Sequence, residues 1–187
     1  MATAPTTASP HIACYPGSFD PATFGHLDVV VRGRKMFDRV VVGVGRNPEK
    51  DTLFTQEERT DMLRTLVDEL VKKEPNGAPV EVTPYEGLTV DFAHSVRATV
   101  LLRGIRNLSD LQSEIQQALT NRQVAGLETA FVVAGESFAY TSSTLIRQIA
   151  AMGKDLDVLN TMCPALVIER LREKKRECPG KFGRLME

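Results

Sequence analysis

A chain of 187 residues fits one domain and can bury about 70% of its unfolded surface. Its 42% hydrophobic and 25% charged content is that of a soluble globular protein, and a formal net charge of −1 excludes general attraction to nucleic acid or an acidic membrane. No apolar run is long enough to cross a bilayer as a helix, and Cys14, Cys163 and Cys178 form no Cys-x-x-Cys pair, which points to a reducing, cytoplasmic compartment.

In chain order, residues 1–10 have neither the basic n-region nor the apolar h-region of a secretory signal and read as a tail. His11-Ile12-Ala13-Cys14-Tyr15 is short and apolar, as a buried strand is, with Cys14 a small core residue in it. Pro16, Gly17 and Pro21 then interrupt regular structure, and from Gly25 the periodicity becomes helical. Leu27, Val30, Val31 and Phe37 share a face there, while Asp28, Arg32 and Lys35 look outward. Residues 39–45 are a continuous β-branched run, the pattern of a strand covered on both faces. A loop over 46–54 leads to the capping box Thr55-Gln56-Glu57-Glu58 and a helix to about Lys73, which Pro75-Asn76-Gly77 ends. A third strand over 80–85, a helix over 89–96 and a fourth strand over 99–103 follow. Ser109-Asp110-Leu111-Gln112 reads as a second capping box, heading a helix to about Val124. Residues 129–134 give the fifth strand, and Thr141-Ser142-Ser143-Thr144 caps a helix through Met152. Pro164 suits the first turn of a last helix ending near Glu173.

Strand and helix alternate five times, which predicts an α/β fold: a doubly wound parallel sheet with helices on both faces. It forms one domain over 11–176, between the tail 1–10 and a second tail 177–187. The charged stretch 170–177 reads as a solvated helix terminus whose cations complement the dipole, and His11 and His94 as structural. In such a sheet ligands bind beyond the carboxyl ends of the strands, where the strand order switches. The loop after the first strand suits that position. Strand, Gly/Pro loop and helix N-terminus make an anion site, since orphan N–H groups and the positive dipole end point out of it. His26 stands in the first turn there, and Gly25 lets a ligand approach the backbone.

Pro16-Gly17-Ser18-Phe19-Asp20-Pro21 followed by Thr23-Phe24-Gly25-His26 resembles the signature of the nucleotidylyltransferase superfamily, Thr/His-x-Gly-His. Within it the chain is most similar to the bacterial phosphopantetheine adenylyltransferase family of coenzyme A biosynthesis. Asn47-Pro48-Glu49-Lys50, Leu102-Arg103-Gly104-Ile105-Arg106 and Tyr140-Thr141-Ser142-Ser143-Thr144-Leu145-Ile146-Arg147 carry the rest of the likeness, which extends over 11–172. The resemblance implies a Rossmann-like five-stranded sheet of order 3-2-1-4-5, with the loops after strands 1 and 4 side by side at the switch. It implies transfer of AMP from ATP to 4′-phosphopantetheine, giving dephospho-coenzyme A and pyrophosphate. The attacking phosphate is already ionised at pH 7, so the task is positioning and charge stabilisation rather than base catalysis.

The resemblance gives the catalytic roles to His26, Lys50, Arg106 and Ser18. His26 is the donor to the α-phosphate in the transition state. Ser18, where the family usually has threonine, keeps a hydroxyl for the attacking phosphate, and Lys50 holds that phosphate as a mobile point charge. Arg103 is assigned to phosphopantetheine and Arg106 to ATP, each with forked donors suited to phosphate. Leu88 and Thr89 line the pantetheine arm, beside Ser18, Lys50 and Arg103. ATP is expected on Gly17, Ser18, Phe19, Gly25 and His26, on Gly104, Ile105, Arg106 and Glu114, and on Phe138, Ala139, Tyr140, Thr141, Ser142, Ser143 and Thr144. As residues alone, several have plainer roles: His26 as a cap, Lys50 as a solvated loop lysine, Glu114 as an ordinary helix glutamate, and the 141–143 cluster as N-capping. Phe138 stands where relatives often have tryptophan or tyrosine, and can stack but not donate. Phe24 fills the variable position of the signature, where smaller residues are frequent.

Further implications are Mg²⁺ bridging the ATP phosphates, coenzyme A as a feedback ligand in the same cleft, and a homohexamer. No compact Asp/Glu cage is visible in the sequence, which fits Mg²⁺ carried by nucleotide and water. The nearest alternatives transfer AMP to nicotinamide mononucleotide or CMP to glycerol phosphate. A non-catalytic nucleotide or coenzyme A sensor would lose His26 or Lys50, and both are present.

Overall fold

The β-branched and apolar runs become five strands: β1 (Ile12–Gly17), β2 (Arg39–Gly45), β3 (Val80–Tyr85), β4 (Val100–Ile105) and β5 (Glu128–Val133). The computed structural model describes residues 9–46 and 51–183. All strand pairs are parallel and the order is β3-β2-β1-β4-β5, as expected. The connecting helices are α1 (Phe24–Met36), α2 (Gln56–Lys73), α3 (Thr89–Ser95), α4 (Leu108–Ala125) and α5 (Ser143–Met152), followed by α6 (Ala165–Glu177) and α7 (Pro179–Gly183).

The pleat of β2 distributes its valines between two apolar layers, since successive side chains point to opposite faces. Val40, Val42 and Val44 join Val30, Leu63, Leu102, Ile146 and Leu171 beneath α1, α2, α5 and α6. Val41 joins Cys14, Leu101, Phe92 and Ala93 beneath α3, where the Phe92 ring stacks on Tyr85 at 4.3 Å. Burial pushes the Cys14 thiol up to about 12, as befits a core residue. The second layer thins toward the β5 edge. No residue of α4 is buried, and Leu119, Phe131 and Val133 stay exposed. No helix among the described residues is long and apolar enough to cross a membrane.

Several local expectations are corrected. The cap of α4 is Asn107, whose Oδ1 accepts the Asp110 N–H at 2.8 Å, and Ser109 lies inside the first turn. Asparagine caps as well as serine, and β4 ends only two residues before it. Helix α6 runs four residues past Glu173, with Pro164 as its capping position. The charged stretch is not simply solvated. Lys174 is buried and its Nζ donates to both carboxylate oxygens of Glu58, at 2.6 and 2.8 Å. Lys175 donates to the carbonyls of Ala150 and Gly153, each at 2.7 Å, closing the C-terminus of α5. The expected tail from Glu177 is helical as far as residue 183, with Phe182 buried and Lys181 reaching the Thr52 and Leu53 carbonyls at 3.4 and 3.3 Å.

Candidate active site

The loop after β1 is shaped by one inward-turned ring. Phe19 has φ +48° and is buried, edge-on to Tyr15 at 5.3 Å and to His26 at 5.0 Å. Gly17 is required beside it, because a Cβ there would lie 2.9 Å from that ring. The Asp20–Pro21 peptide is cis, and the chain then enters α1 through Thr23. Thr23 and His26 form a reciprocal capping box. Thr23 Oγ1 accepts the His26 N–H at 3.2 Å, and His26 Nδ1 accepts the Thr23 N–H at 3.0 Å. A backbone N–H can only donate, so Nδ1 is unprotonated and the ring proton sits on Nε2. Burial first, then the charges of Arg106 and Arg103, lower the His26 pKa to about 4, which keeps the ring neutral. His26 is therefore both a cap and a neutral donor.

The end of β4 brings up two arginines, each already matched. Arg103 grips both oxygens of Glu114, at 2.6 and 2.5 Å, and donates to the Pro16 carbonyl at 2.7 Å. Arg106 grips Asp110 at 2.8 and 3.2 Å and donates to the Thr141 carbonyl at 2.6 Å. Helix α5 starts opposite α1. Ser142 caps it by accepting the Leu145 N–H at 3.0 Å, and Ser143 donates to the Pro21 carbonyl at 2.7 Å. Plain capping thus accounts for one serine of the cluster and tethering of the β1 loop for the next.

These parts enclose a cleft of about 280 Å³ at the β1/β4 switch point. Of the expected residues, Gly17, Ser18, Phe19, Gly25, His26, Arg103, Gly104, Arg106, Glu114 and all of Thr141, Ser142, Ser143 and Thr144 line it. A smaller cavity of about 70 Å³ adjoins across Pro16, Arg103 and Glu114, and holds Thr89 with Gln117 and Asn121. Others stand apart. Leu88 is exposed, Ile105 is in the core, Tyr140 is exposed, and Ala139 lies outside the lining. Phe138 packs beside Phe24, with centroids 6.2 Å apart. Lys50 lies outside the described residues. Asp110 was not foreseen as a cleft residue. Its signal was its place four residues after Arg106, where an acid and an arginine at a helix start meet.

The charges described in the cleft balance: two arginines, two carboxylates and a neutral imidazole. What the cleft can offer an anion is therefore the N-termini of α1 and α5, beside guanidinium donors already paired with Asp110 and Glu114. A parallel sheet of this order, with a cleft between two helix N-termini at its switch point, is the architecture of a nucleotide-binding α/β protein. Residues 14–149 match the cytidylyltransferase-like family. A solved bifunctional NMN adenylyltransferase/ADP-ribose pyrophosphatase from Francisella tularensis, complexed with AMP and a manganese ion, shares the fold. Its TM-score is 0.61 at 13% identity, over 95% of this chain and 52% of that one. Over 164 residues the chain is 44% identical to the phosphopantetheine adenylyltransferase of Rhodopirellula baltica, covering 87% of this chain and 88% of that protein. It is 42% identical to that of Carboxydothermus hydrogenoformans, covering 87% and 95%. The chain belongs to the phosphopantetheine adenylyltransferase family.

Proposed function

We infer that the chain transfers AMP from ATP to 4′-phosphopantetheine, giving dephospho-coenzyme A and pyrophosphate. The observation that carries this, beside the family, is one cleft into which the N-termini of α1 and α5, a neutral His26 and Arg106 all open. The triphosphate lies across the two helix N-termini. An oxygen of the phosphopantetheine phosphate attacks the α-phosphorus, the bond from that phosphorus to the bridging oxygen breaks, and pyrophosphate leaves with its electron pair. No proton has to move. His26 Nε2–H and Arg106 donate to the α-phosphate oxygens as charge builds on them. Ser18, Arg103 and Lys50 hold the acceptor phosphate, and the pantetheine arm runs past Arg103 toward Thr89 and Leu88. The cavity shared by Arg103 and Thr89 supports that path.

Mg²⁺ belongs with the nucleotide in this account. Both carboxylates in the cleft are occupied by arginines, and the described residues offer no cluster of three His, Cys, Asp or Glu side chains for a metal. That donor set suits an ion that would be held by phosphate oxygens and water rather than by side chains, and the chemistry it would supply when bound is neutralisation of charge on the pyrophosphate. Coenzyme A, which keeps the product's pantetheine and adenylate parts, binds the same cleft as a feedback ligand. The exposed apolar residues Leu108, Ile115 and Leu119 of α4 and Phe131 and Val133 of β5 support assembly, as a hexamer, through that face. Three free cysteines fit a cytoplasmic enzyme. Pyrophosphate release from ATP, measured in parallel with 4′-phosphopantetheine, nicotinamide mononucleotide and glycerol phosphate, tests the assignment. Release is expected with the first alone; release with either of the others and not with phosphopantetheine contradicts it.

A further inference from the structure

Arg59 is 2% exposed, on the stripe of α2 that carries Leu63, and its hydrogen bonds all go to backbone carbonyls. Its Nη1 donates to Ser18 and, at 3.0 Å, to Gly45; its Nε donates to Phe54 and Thr55, each at 3.3 Å. Gly45 is the last residue of β2, and Phe54 and Thr55 stand where the 46–54 loop meets α2. One planar group thus ties the loop of Ser18 to both ends of the loop whose sequence contains Lys50. Asp20, also 2% exposed, adds the complementary half. It accepts the N–H groups of Leu53 and Phe54 at 2.9 and 3.0 Å and is itself held by Arg147 at 3.4 Å. The peptide groups of Phe54 are therefore gripped on both sides, the amide by Asp20 and the carbonyl by Arg59.

An apolar side chain would fill that stripe without the desolvation that a buried cation costs. A forked guanidinium can serve four carbonyls set around it, which an ammonium on a flexible stem cannot do from one position. We propose that Arg59, with Asp20, is a positioning residue for adenylyl transfer: it fixes the separation between Ser18 and the two described ends of the 46–54 loop, at Gly45 and at Leu53–Phe54, and so where the acceptor phosphate on Ser18 meets the α-phosphate. This rests on the function proposed above. Arg59 acts through the backbone and touches neither substrate, and the ATP-facing helix starts of α1 and α5 are not among its partners.

The test compares wild type, Arg59→Lys and Asp20→Asn by steady-state kinetics, ATP calorimetry and amide exchange at Leu53 and Phe54. In Arg59→Lys, kcat is expected to fall about 10²-fold, the scale of an ångström-sized misplacement. KM for phosphopantetheine should rise several-fold while ATP affinity stays within about threefold. Combined with Lys50→Ala, the loss should be smaller than the product of the single losses, because both changes disable one element. A purely structural role would lower the melting temperature, leave kcat and KM of the folded enzyme unchanged and make the losses multiply; either kinetic result overturns the proposal. If Arg59→Lys does not fold, Asp20→Asn carries the same test, with faster exchange at Leu53 and Phe54 and the same loss of kcat expected, and normal kcat refuting it. A wild type inactive toward phosphopantetheine would instead overturn the function, and unaltered exchange in the variants would then overturn the clamp independently.

Discussion

Replacing His26 by alanine removes two things that the structure separates. Its Nδ1 bond to the Thr23 N–H is half of the capping box of α1, and its ring rests on Phe19. Loss of a cap contact costs about 1 kcal/mol, roughly 2–4 °C in melting temperature for a chain of this size. In the proposed mechanism the Nε2–H donates to the α-phosphate, and losing one such donor costs about 10²–10³ in kcat, or about 2.7–4 kcal/mol. His26→Gln divides the two effects. Glutamine at this position can return the bond to the Thr23 N–H, but it cannot place a donor where Nε2 stood. Alanine should therefore lose stability and turnover, and glutamine should recover the melting temperature without recovering kcat, both binding ATP within a few-fold of wild type. Burial, then Arg106 and Arg103, keeps the wild-type ring neutral down to about pH 4, so kcat should show no imidazole-type rise near pH 6.5. The sign for stability follows from the same shift. Between pH 6.5 and about 4 the unfolded chain takes up the proton and the folded chain does not, so wild type loses stability as pH falls through that window. The alanine variant lacks that loss, and its deficit should narrow there. Pyrophosphate release, ATP calorimetry and thermal melts across pH read all of this. Near-normal turnover in His26→Ala refutes the mechanism, restored turnover in His26→Gln assigns the effect to the cap, and failure to bind ATP makes His26 a ground-state ligand.

Because Ser18, Arg103 and Lys50 are assigned to one terminal phosphate, unphosphorylated pantetheine should fail as acceptor; comparable rates with pantetheine and its 4′-phosphate would defeat the assignment. Coenzyme A should compete with phosphopantetheine, and calorimetry showing both bound on one subunit would exclude a shared cleft. Light scattering should give a mass several-fold above 20.6 kDa, with Leu119→Glu on the exposed face of α4 lowering it; a monomeric wild type contradicts the assembly. Lys174→Met should destabilise by about 1 kcal/mol at neutral pH. Burial pushes the Glu58 carboxyl up, but hydrogen bonds from Lys174 and the Thr55 N–H outweigh it and hold it below 4.5, so the pair's contribution is present above that pH and lost as pH falls below it. A gap between the two proteins that stays constant in chemical melts from neutral pH to well below 4.5 would contradict that.

What was legible in the sequence was local and periodic. The β-branched run of β2 and the Thr55 capping box each need only neighbours in the chain, and each folds as read, whereas β1 continues through Pro16 and Gly17, paired with Gly43 and Val44 of β2, where a break was expected. The switch point was legible because the fold rule and the motif positions coincide on the loops after β1 and β4. The buried cations were not. Arg34, on α1, donates to the Ala78 and Glu74 carbonyls; Arg59 lies four residues before Leu63, and Lys174 three after Leu171, so these last two stand on the apolar stripe of a helix. A charge at helical spacing within such a stripe was the available signal, but its acceptors lie 41 residues away for Ser18 and 116 for Glu58. In the sequence Asp20 is part of a motif, while its work is on the backbone of residues 53–54, which no spacing rule connects to it. Residues 179–183 look like a tail because Pro179 and two glycines surround a single apolar anchor, Phe182, whose burial depends on α5 and α6 being in place.

The central claim is that the bond broken in ATP is the one between the α-phosphorus and the bridging oxygen, with the adenylyl group passing to a phosphate held beside His26. Incubation with phosphopantetheine and ATP radiolabelled at either the α- or the γ-phosphorus reads this directly. The α-label should appear in dephospho-coenzyme A and the γ-label in pyrophosphate, in equal amounts. Label from the γ-position on the acceptor, or α-label released as free AMP, would contradict it.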